Sequence, residues 1–354
     1  MKLKKESELL SDYFFELPDN LIARTPAQPV DSCKLLYLDR EKKKFDDYQF
    51  YSLPELLEPG DLLLFNNSRV EARRVFFQRQ NDIHNKSRFE ALFLERDIEN
   101  SSLWSVLIKK RKRLKHLEYL VAEKNNTLCF QVIKNNDGTT FLKEPVPLTP
   151  EIFDEIGQMP VPPYFNREEV EEDRKNYQNP FGEIGGSVAA PTASLHFTDK
   201  IIKKLRNRSI DIEFATLHVG YGTFAPLNQE NFHRGVLHEE YYSVEEHVAK
   251  KIARKEYNRL IAVGTTTLRI LETIYRKSGG LYNSHLNGKT DIFIKPPDQI
   301  YSVDGLITNF HLPGSSLLML VSAMGGKELV LNAYNHAIRQ EYSFYSYGDA
   351  MLIL

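Results

Sequence analysis

Hydrophobic positions recur along this chain with two periods, and the change between them divides it into three stretches. Short alternating runs fill the middle: Phe89-Glu90-Ala91-Leu92-Phe93-Leu94, Trp104-Ser105-Val106-Leu107-Ile108 and Thr127-Leu128-Cys129-Phe130-Gln131-Val132. A period of two sends successive side chains to opposite faces, as in strands with one buried side. Turn formers separate the runs, and Asn135-Asn136-Asp137-Gly138 carries the Asp-Gly step that suits a hairpin. Several such strands predict a small antiparallel barrel or sandwich. The flanks read differently. Gly60-Asp61-Leu62-Leu63-Leu64-Phe65, Asp211 to Val219 and Arg259-Leu260-Ile261-Ala262-Val263 are near-continuous apolar runs, the mark of strands buried on both faces. Helical periodicity follows at Thr198–Arg206, Val244–Lys255, Thr266–Lys277 and Lys327–Gln340. Strands alternating with helices predict an α/β layer. The expected fold is an α/β main domain with an inserted small antiparallel β-barrel domain: residues 75–159 form the insertion, and 1–74 with 160–354 form the discontinuous α/β domain. Residues 166–176 read as a solvated helix or linker. Residues 278–290, with Gly279-Gly280 and Asn287-Gly288, read as an exposed connection.

Composition removes several classes of answer. With 354 residues, 42% hydrophobic and 27% charged, the chain has a globular make-up, and it contains no internal repeat. Cys33 and Cys129 are far apart and in no CxxC spacing, which argues against a disulfide framework or structural zinc and for a reducing cytoplasm. No apolar run approaches the roughly 20 residues that span a bilayer, and MKLKKESELL lacks the apolar stretch of a signal peptide. The formal net charge is −2, so a nucleic acid would have to be held by a local patch. Lys109-Lys110-Arg111-Lys112-Arg113-Leu114-Lys115 offers one, with six cations in seven residues. Such a run is either a solvated face or the footprint of a phosphate backbone.

Four junctions and the C-terminus could carry chemistry. Gly264-Thr265-Thr266-Thr267 follows a buried strand and opens a helix bearing Arg269; free N–H groups there suit an anion, or the threonines simply cap the helix. Thr216 to Phe224 places His218 near a strand end, before Gly220 and Gly222, where a ligand can approach the backbone. Gly185 to Phe197 is dense in small residues around His196, and Thr308-Asn309-Phe310-His311 brings polar groups into an apolar layer. Asp349, beside Gly348, is a cap or a functional carboxylate. His233, His238, Glu239 and Glu240 fit neither HExxH nor a cysteine-based pattern, so no metal is expected. No Gly-x-Ser-x-Gly elbow is present.

Eight strings, in order, add up to a family likeness: DYFFELPDNLIARTPAQPVDSCKLL, GDLLLFNNSRV, GQMPVPPYF, GSVAAPTASLHFT, LHVGYGTFAPL, LIAVGTTTLRILE, LITNFHLPGSSLLMLVSA and FYSYGDAMLIL. They span almost the whole chain, which resembles the S-adenosylmethionine:tRNA ribosyltransferase-isomerase family of queuosine biosynthesis. The resemblance implies one α/β domain with an inserted β-barrel. It also implies transfer and isomerisation of the ribosyl part of S-adenosylmethionine, a co-substrate rather than a tightly bound cofactor. The acceptor is an aminomethyl-deazaguanine at the wobble position of a tRNA with a queuosine-type anticodon, and the products are an epoxyqueuosine base, adenine and methionine. A cytoplasmic monomer without membrane contact is expected.

The reaction proposed for the family begins with proton removal beside the sulfonium and loss of adenine; the amine then attacks and methionine leaves. It calls for a base and for donors to the adenine and sugar. His218 and His311 are candidates for acid/base work because histidine ordinarily titrates near neutrality; Asp349 and Glu240 are alternative bases or partners of the amine. Gly264, Thr265, Thr266 and Arg269 would hold the methionine carboxylate, Arg269 bidentately. Asn66, Asn67 and Arg69 would meet base or sugar, Asn309 the ribose or adenine, and His196 lies in the small-residue crevice. The chain departs from the family pattern at several points. Glu71-Ala72-Arg73-Arg74 stands for Ile-Pro-Ala-Arg, Ser194 for Gly and Gly235 for His. Asn179-Pro180-Phe181 stands for Thr-Val-Tyr, and Ser343 for Arg. Two other readings stay open: a divergent S-adenosylmethionine-using paralogue acting on another RNA or base, and a non-catalytic RNA-binding relative.

Overall fold

A computed structural model describes residues 10–81, 87–136, 138–165, 167, 169–220, 222, 227–282 and 284–354. They form two compact units: one of residues 1–68, 178–184 and 190–354, the other of residues 69–177 and 185–189.

The first unit is built on a nine-stranded mixed sheet. Its order is Leu286–Ile292, Val236–Val244, Asp211–Leu217, Leu62–Asn66, Leu260–Val263, Gly305–Asn309, Ala350–Ile353, Lys34–Asp39, Lys44–Gln49. The four central strands, Asp211–Leu217 to Gly305–Asn309, run parallel. Every residue of Leu62–Asn66, Leu260–Val263 and Gly305–Asn309 is buried, which is why their sequences lack alternation. On one face Leu63, Phe65, Ile261, Val263, Ile307 and Leu352 share a core with Phe197, Ile201 and Leu205 of the segment following His196. Phe65 meets Phe181 and Phe197 edge-on at centroid distances of 4.8 and 4.7 Å. Each such side chain contributes about 1.5–3 kcal/mol by leaving water. Because all four central strands point the same way, Leu217, Asn66, Val263 and Asn309 end at one edge of the sheet. Ala350–Ile353 runs antiparallel with Ala350 opposite Asn309, so Asp349 enters at that edge too. Lys34–Asp39 pairs parallel with Ala350–Ile353 and brings Cys33 there. This is the edge where ligands bind in open α/β sheets.

Residues 286–292 correct the expectation of an exposed connection over 278–290. Gly279 and Gly280, both at positive φ, do make a turn, but Leu286–Ile292 is a strand paired antiparallel with Val236–Val244. As an outermost strand it needs only one good face, which Thr290 supplies: fully buried, its hydroxyl bonds that of Thr273 at 2.6 Å. Such a strand can afford to read as polar.

The second unit contains a closed barrel in the strand order Arg74–Arg79, Phe89–Arg96, Leu103–Ile108, Thr140–Lys143, Cys129–Lys134, Tyr119–Ala122, with Phe77 opposite Ala122 completing the ring. The alternating runs fill it: Phe77, Phe93, Trp104, Phe130 and Leu142 point inward, and a barrel this narrow is packed with side chains. Cys129–Lys134 and Thr140–Lys143 pair as a hairpin, with Gly138 at φ 96°; Asp137 lies outside the described residues. The unit takes in more chain than the barrel strands alone. Arg174, beyond residue 159, donates to the carbonyls of Asp154 and Gly157, and Arg73, before residue 75, donates to that of Leu94. The compositional breaks at 75 and 160 mark strand-rich sequence, whereas polar segments on either side pack with it. Among the described residues no helix is long and apolar enough to cross a membrane.

Candidate functional site

The carboxyl edge of the parallel strands gathers most of the candidate residues, and their hydrogen bonds sort them into two kinds. Asn66 ends its strand with a saturated amide. Its Oδ1 accepts from the N–H groups of Ser68 (3.0 Å) and Leu217 (3.1 Å), and its Nδ2 donates to Leu217 O (3.0 Å) and Thr266 Oγ1 (3.4 Å). Two donors and two lone pairs are all an amide has, so Asn66 ties two strand ends to the helix Thr265–Ser278 and has nothing left for base or sugar. Asn67 differs. Its Oδ1 accepts from Thr216 Oγ1 at 2.7 Å, and its Nδ2 has no partner among the described residues. Arg69 is exposed and belongs to the second unit.

Asn309, expected to donate to ribose or adenine, has its amide engaged within the fold. Its Nδ2 faces His196 Nε2 (3.0 Å) and the Gly348 carbonyl (3.5 Å), while its Oδ1 accepts from Thr192 Oγ1 (2.9 Å). Since Gly348 O can only accept, Nδ2 is correctly placed and His196 Nε2 is the acceptor. The imidazole proton is thereby assigned to Nδ1, which lies 3.2 Å from Cys33 Sγ and is also within reach of the Val30 carbonyl. Burial pushes the His196 pKa down to about 4. Burial likewise raises the Cys33 thiol far above its usual range, with Asp349 and Asp31 adding to the effect. Thiol, imidazole and amide form a neutral, buried chain that sets the end of the strand Gly305–Asn309. His196 is part of the framework and does not face a crevice as a free group.

Asp349 is a staple. Its Oδ1 accepts from Lys34 N–H and its Oδ2 from Ser343 N–H, both at 2.6 Å. Burial raises its pKa, and those bonds with the Lys34 charge pull part of the way back. Of the two readings left open by the sequence, cap or functional carboxylate, the geometry is that of a cap. Glu240 and Arg269 form an ion pair with both side chains buried. Glu240 Oε1 also accepts from Gly220 N–H at 2.9 Å. Glu240 takes Nη1 of Arg269, while Nε is buried with no hydrogen-bond partner among the described residues. Glu240, holding a guanidinium and a backbone N–H, is not a free base.

What remains can face a ligand. Gly264, at φ 91°, turns the chain from strand to helix, and its N–H donates to Ile307 O at 2.8 Å. A side chain there would be strained. The 14-residue helix that follows opens on Thr265 and Thr266, whose N–H groups have no intrahelical acceptor and sit at the positive end of the helix dipole. His218 follows the strand Asp211–Leu217, half-buried, its N–H bonded to Tyr241 O at 2.9 Å. Beyond it, Gly222 packs against His238: a Cβ would lie 2.5 Å from the ring. Tyr221 and Thr223 to Pro226 lie outside the described residues. His311 Nε2 bonds Thr308 Oγ1 at 2.9 Å, and its N–H donates to the Tyr334 hydroxyl at 3.0 Å. Although the residue keeps some exposure, the protein packed around the ring pushes its pKa down to about 3. Burial thus favours the neutral imidazole of His311. Among the described residues no group of three His, Cys, Asp or Glu side chains could hold a metal.

The model of the family described as queuosine biosynthesis protein matches residues 10–353. The chain belongs to the queuosine biosynthesis protein family. Two relatives named S-adenosylmethionine:tRNA ribosyltransferase-isomerase are each 40% identical to it. The one from a Sulfurihydrogenibium species aligns over 98% of this chain and 99% of its own length; that from Treponema denticola aligns over 98% and 100%. The crystal structure of S-adenosylmethionine tRNA ribosyltransferase from Thermotoga maritima superposes with a TM-score of 0.55 at 34% identity, covering 97% of this chain and 100% of that one.

Two of the departures from the queuosine family pattern turn out to touch. Asn179 Nδ2 donates to the carbonyls of Asn66 (2.7 Å) and Ser68 (3.0 Å), and its Oδ1 accepts from Phe181 N–H (3.1 Å). Ser194 Oγ lies 2.9 Å from that Oδ1 and 2.7 Å from Pro191 O. Together they fix the corner that presents Asn67. Sequence reasoning noted Asn179 and Ser194 only as separate substitutions, and Thr192 and Cys33 not as site residues at all; 15 to 315 residues separate such partners along the chain, and no spacing rule links them.

Proposed function

We propose that this chain transfers the ribosyl group of S-adenosylmethionine to the aminomethyl-deazaguanine at a tRNA wobble position and isomerises it, giving epoxyqueuosine-tRNA with release of adenine and methionine. The observation that carries this reading is the 40% identity, over nearly the full length, to relatives bearing the name of that activity. The strand-edge geometry supports it by offering what the chemistry requires and no excess of charge. The N–H groups at Thr265 and Thr266, with the positive helix end, suit the methionine carboxylate. Asn67 Nδ2 is a donor for sugar or base. His218 is the group for removing the proton next to the sulfonium; His311, neutral, serves as a hydrogen-bonding partner and not as an imidazolium acid. Asn66, His196, Asn309, Asp349 and the Glu240–Arg269 pair hold these groups in place. The first unit is the catalytic domain and the barrel-containing unit the insertion; the setting is the cytoplasm, and the chain acts as a monomer.

Incubating the protein with S-adenosylmethionine and tRNA carrying the aminomethyl base, then resolving the products by mass spectrometry, tests the reading. Adenine, methionine and epoxyqueuosine are expected. Adenine release only with another acceptor indicates the paralogue; RNA binding without release indicates a non-catalytic relative. His218→Ala is expected to abolish adenine release with S-adenosylmethionine uptake retained, and full activity removes the assignment of His218.

A further inference from the structure

The barrel carries a cationic loop that its own packing leaves unused. Residues 109–118 join the strands Leu103–Ile108 and Tyr119–Ala122. Leu114 is buried in the barrel core beneath the loop. The loop's backbone is tied down by groups from other strands: Lys134 Nζ donates to the carbonyls of Arg111 and Leu114, Arg79 to that of Arg113, and Glu118 accepts from Lys115 N–H at 2.8 Å. Arg111 itself turns inward to Thr140 Oγ1 (2.6 Å). With the carbonyls facing cations inside, the outer side is left to Lys110, Lys112, Arg113 and Lys115, all exposed. None of the four has a carboxylate within ion-pair reach among the described residues, whereas nearby Lys109, Arg79 and Arg88 are paired with Glu90, Glu118 and Glu123. Tyr119, 46% exposed, and Leu107 and Leu117 lie beside them in sequence. Lys110 Nζ reaches only the Arg88 carbonyl, at 3.5 Å, and a fixed loop that keeps four cations without a carboxylate among the described residues, a few residues from an exposed aromatic side chain, has the chemistry of a polyanion surface.

We propose that Lys110, Lys112, Arg113 and Lys115 form an RNA-backbone contact surface, with Tyr119 as a stacking face; this rests on the reading of a tRNA as substrate. The contacts are to phosphates, so they set affinity and register and leave the choice of base to the strand-edge site. The test is fluorescence anisotropy of a labelled tRNA transcript with guanine at the wobble position, using the full chain between 50 and 200 mM KCl. In the variant Lys110→Gln/Lys112→Gln/Arg113→Gln/Lys115→Gln, affinity at 50 mM is expected to fall on the order of tenfold or more. The slope of log Kd against log salt should fall by about 3, as four lost phosphate contacts imply. Lys112→Gln/Arg113→Gln should give about half that change, and Lys110→Arg/Lys112→Arg/Lys115→Arg should give none. S-adenosylmethionine uptake by calorimetry reports that each variant is folded. Unchanged affinity and slope in the four-site variant overturn the surface. If the wild type releases adenine while the variant binds RNA normally, the surface alone fails. If RNA affinity drops as expected but the wild type releases no adenine, the surface stands and the ribosyl-transfer reading fails.

Discussion

The buried Glu240–Arg269 pair gives the sharpest expectation. Their side chains are 3% and 6% exposed, so water screens neither charge, and removing one partner of such a pair costs about 3–5 kcal/mol because the other is left buried and uncompensated. Glu240→Gln is the informative change. It keeps the side-chain volume and the oxygen that accepts from Gly220 N–H, but sets an NH2 donor in place of the anionic oxygen that accepts from Arg269, whose Nε has no partner among the described residues. The cost should be about 3–5 kcal/mol, equivalent to a fall in Tm of roughly 6–20 °C for a unit of this size. Glu240→Gln/Arg269→Gln removes both charges and should recover most of that loss, an interaction of about 2 kcal/mol in a double-mutant cycle. Differential scanning calorimetry with and without S-adenosylmethionine reads both terms. A Tm unchanged in Glu240→Gln, or simple additivity in the double variant, refutes the view that each of these residues exists mainly to satisfy the other.

Three further outcomes can be checked. His196 and His311, with pKa values lowered to about 4 and about 3, stay neutral when folded, while the unfolded chain takes up protons as pH falls through 6.5. Stability is thus complete above about pH 7 and should drop by about 2–4 kcal/mol between pH 7 and 5 in urea titrations, the raised Asp349 carboxyl offsetting a part; His196→Gln and His311→Gln should each flatten the slope, and an unaltered slope contradicts the assignment. Asp349→Asn places an N–H against a backbone N–H and should cost about 1–3 kcal/mol with kcat per folded molecule largely kept; a loss of kcat at constant Tm would make Asp349 a catalytic group after all. Asn179→Ala leaves the carbonyls of Asn66 and Ser68 without their donor and should raise the KM for S-adenosylmethionine several-fold while lowering stability by about 2 kcal/mol; an unchanged KM in stable protein removes Asn179 from the positioning of Asn67.

Much of this architecture was legible in one dimension because burial writes directly onto sequence. The run Leu62 to Phe65 has no polar gap since both of its faces are covered, and the inward Phe77, Phe93 and Phe130 alternate because the barrel has one inside. Leu286–Ile292 was not legible: a strand at the rim of a sheet satisfies one neighbour and one face, so Thr290 and Gly288 suffice and the rest of its letters look like a loop. The same logic applies to the units. Arg73 and Arg174 pack with the barrel through hydrogen bonds to carbonyls, and that kind of contact leaves no hydrophobic period to read.

The site residues show a different limit. Polar letters at strand ends drew attention to the carboxyl edge of the parallel strands, since polar groups entering an apolar layer must be either used or satisfied. Which of the two holds at a given position depends on partners that only the fold supplies. Asn66 and Asn67 are adjacent and identical in type, yet one has all four amide positions filled and the NH2 group of the other has no partner among the described residues. His196 and His218 both follow apolar stretches, yet His196 is locked between Cys33 and Asn309 while His218 stands half-buried at a strand end. Saturation of the framework groups also fixes the groups proposed to face the ligand. An amide that donates twice and accepts twice cannot rotate without breaking bonds in a buried setting, at about 1–3 kcal/mol for each group left unsatisfied. Asn66, Asn179, His196 and Asn309 thereby pass rigidity from the sheet to Asn67, Thr265 and Thr266, and in the proposed reaction, with several bond changes at one sugar, donors held in this way would not move between steps.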